Sequence, residues 1–293
     1  MGATVKGLRG RIILSTAAGV FALVVVGDFL SVKREALGGA ARAEAAVVCH
    51  GMRPEQRTHL VQVAGSGEML RMASSAQLAD GSSAATAGDD NLDLFEKLGL
   101  MEGHLMIGKA LLDANMQKAA LPHFGHPVRE IYDYLKPVFA ERKYPEFERE
   151  LQDLERRAKA APRDAATGAA YDDVIKKIDG LRKTIPAEMQ RSRRFAILGV
   201  AVMIEAAAGD LGESLDKGRI VNTVEYHDAM GFARYADAYA RAQADLLGPQ
   251  APAIAKEIQL ALSAFPALEP PAKPTRSVSQ VQGAADRVKA LAN

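Results

Sequence analysis

Histidines concentrate in one stretch of this chain, and imidazole is a common ligand for transition metals. Three of the six histidines, His104, His123 and His126, lie between residues 98 and 135. Imidazole nitrogen suits iron, copper and zinc, and carboxylate oxygen suits iron. Glu102 adds a carboxylate, although it lies two residues before His104, so on a helix the two side chains point in different directions. These four residues are candidate metal ligands.

A fainter copy of this pattern lies about a hundred residues downstream. Gly108 precedes His123 by fifteen positions, and Gly212 precedes His227 by the same fifteen. The shared spacing predicts two related helix–turn–helix units, each placing a histidine near the start of its second helix. Glu225 lies beside His227 in the second unit. The full set of predicted metal ligands is His123, His126, His227, Glu102, His104 and Glu225.

Each candidate ligand also has an explanation that needs no metal. His123 and His126 stand beside prolines, as at the entry to a helix, where a side chain can satisfy backbone groups. His104 lies on a glycine-flanked helix and can be a hydrogen-bonded packing residue. Glu225 and Asp228, in the first turn of a helix, favour the positive end of its dipole. The residue types therefore leave both metal binding and a purely structural role open.

The composition indicates the kind of fold that must position these side chains. The chain has 293 residues, of which 48% are hydrophobic, only 5% are aromatic and none is tryptophan. Abundant alanine favours closely packed helices, and no stretch alternates apolar and polar residues as a strand would. We predict an all-α fold, an antiparallel helical bundle built from the two related units. The 37 basic and 36 acidic residues nearly balance, which argues against a nucleic-acid partner.

The amino terminus has the pattern of an exported protein. Three basic residues precede the uncharged apolar run Ile12–Val26, which is typical of a secretory signal. Continued through Val32, the run reaches roughly 20 residues, enough to cross a bilayer. Residues 1–34 are therefore a cleaved signal peptide or a single membrane anchor, with a buried core helix as the third alternative. The basic flank predicts a periplasmic chain, either soluble after cleavage or tethered to the inner membrane.

The rest of the chain divides by composition into three parts. Residues 35–90 are rich in alanine, serine and glycine and predict a linker with one helix at Pro54–Leu78. Residues 91–268 predict the helical bundle. Residues 269–293 predict a proline-rich tail with a short terminal helix.

Apolar periodicity predicts the helices of the bundle. The first begins at Asn91 or Asp93 and ends near Asn115. Its three glycines, Gly99, Gly103 and Gly108, each cost about 1 kcal/mol relative to alanine, so they predict a close approach of another helix. Further helices are predicted to begin near Pro127 and to cover Glu146–Ala160, Tyr171–Ile185, Glu188–Ala208, Val224–Leu247, Ala253–Phe265 and Val278–Leu291.

Proline and glycine predict where these helices are interrupted. Gln117–His126 is predicted to be a turn, and Pro137 is predicted to kink or end the helix that follows. Ala161–Gly168 is predicted to be a loop. Gly209–Val221 is predicted to be a turn with a short helical insert.

Two patches of the sequence resemble known exported proteins. The segment Glu225–Asp228, with Gly231 and Phe232 after it and Gly218–Asn222 before it, is similar to the periplasmic helical domain attached to some high-affinity iron permeases. Glu102–Leu105 and Pro122–Pro127 resemble a recurrent motif of uncharacterised exported bacterial proteins. The resemblance implies an extracytoplasmic helical bundle that handles metal, with a membrane-protein or periplasmic partner.

Two hypotheses for the function follow. The chain has no Gly-x-Ser-x-Gly elbow, phosphate loop or His-Glu-x-x-His motif, so we predict that it is not an enzyme. It also has no Cys-x-x-Cys-His, which excludes covalent haem attachment. In the first hypothesis the bundle binds iron, copper or haem through its histidines. In the second it is a membrane-anchored structural or partner-binding subunit without metal, whose glycine- and alanine-lined faces dock other helices.

Overall fold

The computed structural model describes the backbone of residues 82–293 and the side chains from Asp90 onward. Within that part nearly all regular structure is helical, which confirms the predicted all-α bundle. The signal or anchor segment and the helix predicted at Pro54–Leu78 lie outside the described residues.

The described part of the chain contains eleven α-helices and one small hairpin. The helices are α1 (Ser82–Asp113), α2 (Gln117–His126), α3 (Tyr132–Arg142), α4 (Glu148–Ala160), α5 (Ala165–Arg182), α6 (Ala187–Gln190), α7 (Arg193–Glu213), α8 (Thr223–Ala242), α9 (Ala244–Leu247), α10 (Ala251–Leu262) and α11 (Val278–Ala290). A π-helical turn, Pro127–Ile131, joins α2 to α3, and a 3-10 turn, Gly248–Gln250, precedes α10. The strands β1 (Leu215–Asp216) and β2 (Arg219–Ile220) pair antiparallel between α7 and α8.

Helix α7 forms the centre of the bundle. It packs against α8, α11 and α1, while α4 and α5 pair with each other beside α2 and α1. By length and composition α7 could span a membrane, but 78% of its most apolar window is buried inside the protein. Helix α11, predicted to be part of a tail, buries Val281, Ala284 and Val288 in the core. The carboxy-terminal segment is therefore part of the bundle.

Helices α1 and α8 cross at two glycines. A methyl group on Gly103 would lie 2.5 Å from a ring carbon of Phe232, and one on Gly231 would overlap the carbonyl group of Gly103. A methyl group on Gly99 would lie 2.6 Å from the sulfur of Met203 on α7. The close helix approach predicted from the glycines of α1 is thus confirmed.

The predicted turn at Gln117–His126 is wrong, because this segment is helix α2. The connection from α1 is shorter, with Asn115 in the left-handed conformation at φ 64°. Asparagine tolerates this conformation better than most residues, so three residues suffice to reverse the chain. His123 and His126 therefore lie within a helix and not beside a turn.

The prolines interrupt the helices less than predicted. Pro127 does not begin a helix but lies in a continuous helical segment, where the backbone N–H of Tyr132 bonds to its carbonyl across a π turn. The wider turn accommodates a proline ring that would crowd an α-helix. Pro137 lies inside α3, which continues to Arg142. Its ring is on the exposed side of the helix, where water can satisfy the carbonyl that loses its backbone partner.

Several boundaries also differ from those predicted. Helix α1 begins at Ser82, inside the segment predicted to be a linker. Helix α5 begins at Ala165, inside the predicted loop, because the Asp164 side chain accepts the backbone N–H of Ala166 and caps the helix. The predicted start of α7 at Glu188 is too early, because α7 begins after Ser192, whose side chain caps it.

The chain reverses within the predicted turn Gly209–Val221, but the first five residues of that segment are helical. Helix α7 continues to Glu213, and the reversal is the hairpin of β1 and β2. Lys217 and Gly218 have φ of 48° and 73°. Two central residues with positive φ are typical of the type I′ turn, which suits a two-residue hairpin loop. This hairpin brings the chain from α7 into α8.

Candidate metal centre

Four side chains with metal-ligating groups converge inside the bundle from three helices. His104 comes from α1, His123 and His126 from α2, and Asp228 from α8. All four are buried, with exposures of 1%, 0%, 8% and 0%. One potential ligand atom from each lies within 4.8 Å of the others. The fold therefore collects three imidazoles and a carboxylate at one point.

Asp228 is the residue that joins this cluster. Its Oδ1 lies 2.5 Å from Nδ1 of His104 and 2.7 Å from Nδ1 of His123, and its Oδ2 lies 3.2 Å from Nδ1 of His126. An ionised carboxylate only accepts hydrogen bonds, so Nδ1 of His104 and of His123 must donate. In a neutral imidazole this arrangement leaves Nε2 with a free lone pair, which is the form that binds a metal.

The charges in the cluster favour these protonation states. Burial opposes the ionisation of Asp228, but its interactions with His104 and His123 outweigh burial and hold the pKa of Asp228 well below its usual range. Burial lowers the pKa of His123, and Asp228 compensates only in part. Burial also acts to lower the pKa of His126, but Asp228 and Glu130 outweigh it and raise that pKa. At neutral pH the cluster therefore contains an anionic carboxylate and a neutral imidazole at His123.

Several buried polar atoms of the cluster have no hydrogen-bond partner. They include Nε2 of His104 and Nε2 of His123, and Oδ2 of Asp228 has only its 3.2 Å contact with His126. Buried nitrogen and oxygen atoms are rarely left unsatisfied in folded proteins. One ligand atom of each of the four residues lies within 4.8 Å of the others, so a cation at their meeting point could take a lone pair from each. The donor set therefore fits a transition metal ion.

The structure brings together some of the predicted ligands and separates others. His104, His123 and His126 meet, and Glu225 lies in an adjoining group of carboxylates with Asp210 and Asp228. His227 is close to His123, with 5.5 Å between ring centroids, but its Nε2 is 2.8 Å from the carbonyl oxygen of Leu268. That bond holds the His227 ring outside the cluster.

Glu102 faces away from the cluster, as its two-residue spacing from His104 requires. Its carboxylate pairs with Arg182 of α5, which also pairs with Asp179 and lies 5.8 Å from the ring centroid of Tyr235. Glu102 therefore joins α1 to α5 and does not contribute to the centre.

The predicted set of ligands omits two carboxylates of the site. Asp228 could be assigned to the helix dipole, because it lies in the first turns of α8. Asp210 follows the apolar run of α7 and is completely buried. An aspartate that falls on the apolar face of a core helix is a usable signal, since an ionisable residue is seldom fully buried without a partner.

Replacing Glu102 with glutamine should lower stability without changing metal binding. Loss of the carboxylate leaves Arg182 with a weaker partner in a mostly buried setting, for which we expect a cost of about 1–3 kcal/mol. The measurement is chemical denaturation of both proteins, together with their metal content. The matched control is Asp113→Asn, which breaks the exposed pair with Lys109 on the same helix and should cost about 0.5 kcal/mol or less. A loss of bound metal in Glu102→Gln would contradict this assignment.

A family model matches the carboxy-terminal part of the chain. No curated protein and no solved structure matches. The matched segment contains helices α7, α8, α10 and α11 and supplies Asp210, Glu225 and Asp228, whereas the three clustered histidines precede it. The similarity expected from Glu225–Asp228 is confirmed, because residues 186–293 match the family model of the iron permease-associated 4-helix bundle domain.

Proposed function

We propose that this protein is an extracytoplasmic iron-binding bundle that holds a ferrous ion between His104, His123, His126 and Asp228. The observation that supports it most directly is the convergence of these four buried side chains, several of whose nitrogen and oxygen atoms lack partners. The match to an iron permease-associated domain links the chain to iron handling. The ion is cargo in this proposal, and the protein binds it without catalysing a reaction.

The donor set favours ferrous iron over cuprous copper and haem. Cuprous copper prefers thiolate and thioether ligands, whereas imidazole and carboxylate suit ferrous iron. The ring centroids of His104 and His126 are 5.0 Å apart, and those of His123 and His126 are 5.7 Å apart. Imidazoles packed this closely can share an ion, but they leave no space between them for a porphyrin. Zinc also binds imidazole and carboxylate, so binding of zinc and of ferrous iron must be compared directly.

The proposed location and partner depend on two further observations. The basic residues before Ile12–Val26 favour export of the rest of the chain. The domain matched by residues 186–293 is described as iron permease-associated. We propose that the bundle works outside the cytoplasm beside a membrane protein that receives or supplies its iron.

Removing two histidines should abolish high-affinity iron binding. Ferrous iron is titrated into the full-length protein without oxygen, and the bound metal is measured after equilibrium dialysis, with zinc and copper in parallel. His123→Ala with His126→Ala removes two of the four ligands and should weaken ferrous binding by about 100-fold or more. His227→Gln is the matched control, because glutamine can still donate to the Leu268 carbonyl, and it should bind iron as the wild type does.

The alternative function, a structural subunit without metal, predicts a different result. It would be supported if the wild type took up no ferrous iron, or if the double variant bound as much as the wild type. The glycines that suggested docking faces give it little support, since Gly99, Gly103 and Gly231 pack against other residues of the bundle. Preference for zinc over iron would keep the metal site and overturn its assignment to iron.

A further inference from the structure

A second group of potential ligand atoms lies at Asp228, and all of these atoms are carboxylate oxygens. Asp210 comes from α7 and Glu225 from α8, and one oxygen from each lies within 4.8 Å of the other and of an oxygen of Asp228. The iron site proposed above uses only Asp228 of these three residues. The positions of Asp210 and Glu225 therefore need a separate explanation.

Asp210 is the most unusual member of this group. It is completely buried, with 0% exposure, and neither of its carboxylate oxygens makes a hydrogen bond within the described part of the chain. An unpaired buried carboxylate is strongly unfavourable unless it is protonated or binds a cation. Glu205, on the same helix, is exposed, so α7 does not bury acidic residues generally. The carboxylate of Asp210 lies beside those of Glu225 and Asp228, and α7 supplies no hydrogen-bond partner for it.

The surroundings of Asp210 are acidic. The charges that act on it belong to Asp228 and Glu225 of α8, Glu130 of the π turn, and Glu213 of α7. Burial and these charges raise the pKa of Asp210 well above its usual range, and they raise the pKa of Glu225 to about 7. Oε2 of Glu225 is also buried without a hydrogen bond. This concentration of carboxylates must take up positive charge, either as protons or as a cation.

We propose that Asp210, Glu225 and Asp228 form a second, oxygen-rich subsite for a divalent cation, so that the centre holds two ions with Asp228 contacting both. Carboxylate oxygens suit manganous and ferrous ions, whereas the imidazole subsite binds manganous ions as well, but more weakly than ferrous iron or zinc. The proposal rests on the proposed function only for the ion at the histidines. The carboxylate subsite is tested independently of that ion.

The test counts manganous ions bound to the full-length protein after its metals have been removed. Equilibrium dialysis against Mn²⁺, followed by metal analysis, should give two ions for the wild type. Asp210→Asn removes one charge with little change of shape and should give one ion. His123→Ala with His126→Ala should also give one ion. The matched control, Glu205→Gln, changes an exposed acid of α7 and should still give two.

A second measurement separates loss of a ligand from loss of the fold. Without metal, Asp210→Asn should melt at a higher temperature than the wild type, because folding of the wild type must either bury an unpartnered charge or add a proton to Asp210. Saturation with Mn²⁺ should raise the melting temperature of the wild type more than that of the variant. Glu225→Gln should reproduce the loss of one ion at a separate position.

The outcomes distinguish this inference from the proposed function. One ion in the wild type that persists in Asp210→Asn overturns the carboxylate subsite and leaves the histidine site intact. Two ions in Asp210→Asn also overturn it. One ion that is lost in Asp210→Asn but kept in the double histidine variant supports the carboxylate subsite and contradicts the proposed iron site.

Discussion

Replacing Asp228 with asparagine should lower the affinity for ferrous iron by about 100-fold or more, the largest effect on binding that we expect from a single substitution. The carboxylate is within 3.2 Å of three imidazole nitrogens, on His104, His123 and His126. Asparagine has nearly the same shape, but it carries no charge and only its carbonyl oxygen can accept a hydrogen bond. Without metal the imidazoles would lose the acceptor that orients them, and with metal the ion would lose an anionic ligand.

This experiment has a matched control on the same helix. Asp237 of α8 pairs with Arg241, which is 72% exposed, so Asp237→Asn should leave ferrous affinity unchanged and alter stability by about 0.5 kcal/mol or less. Anaerobic titration gives the affinities, and circular dichroism shows whether each variant keeps its helices. If Asp228→Asn bound iron as tightly as Asp237→Asn, the iron site would not require the Asp228 carboxylate.

The fold class could be predicted because it depends on patterns within single segments. Alanine content and apolar periodicity identified most of the helices, and the glycines of α1 correctly indicated close packing. The errors fall where tertiary packing outweighs a local signal. Pro127 and Pro137 are ordinarily helix breakers, yet one lies in a π turn and the other faces water. Neither environment is visible in the sequence around the proline.

The site could be predicted only in part, for a related reason. His104, His123 and His126 were recognised by residue type, but the choice among all the histidines required their partners. His227 differs from the other three because the carbonyl of Leu268, 41 residues away, bonds to it. Asp228 joins the cluster through contacts with His123 and His104, which lie 105 and 124 residues away along the chain. Such contacts follow from the crossing of helices and cannot be read from spacing.

The metal centre takes its side chains from two parts of the chain, one inside and one outside the segment that matches a known family model. The segment matched to the iron permease-associated domain supplies Asp210, Glu225 and Asp228, whereas α1 and α2 supply the histidines. The imidazole ligands therefore meet the carboxylates only if α1 packs correctly against α8. That packing is made at Gly103 and Gly231, so a substitution there should affect both stability and binding.

Gly231→Ala should be the most destabilising small substitution in the bundle, with an expected cost of about 3 kcal/mol. The added methyl group would overlap the carbonyl group of Gly103, and a backbone group of one helix cannot move aside as a flexible side chain can. Helix α1 would shift relative to α8, which would move His104 away from Asp228 and weaken iron binding as well. Gly168→Ala is the matched control, since a methyl group in that helix would meet nothing within 4 Å. Alanine's better helix propensity should make the control more stable by about 0.5–1 kcal/mol. Chemical denaturation and ferrous titration of both variants measure these effects, and equal stability of the two would show that α1 and α8 are not in backbone contact.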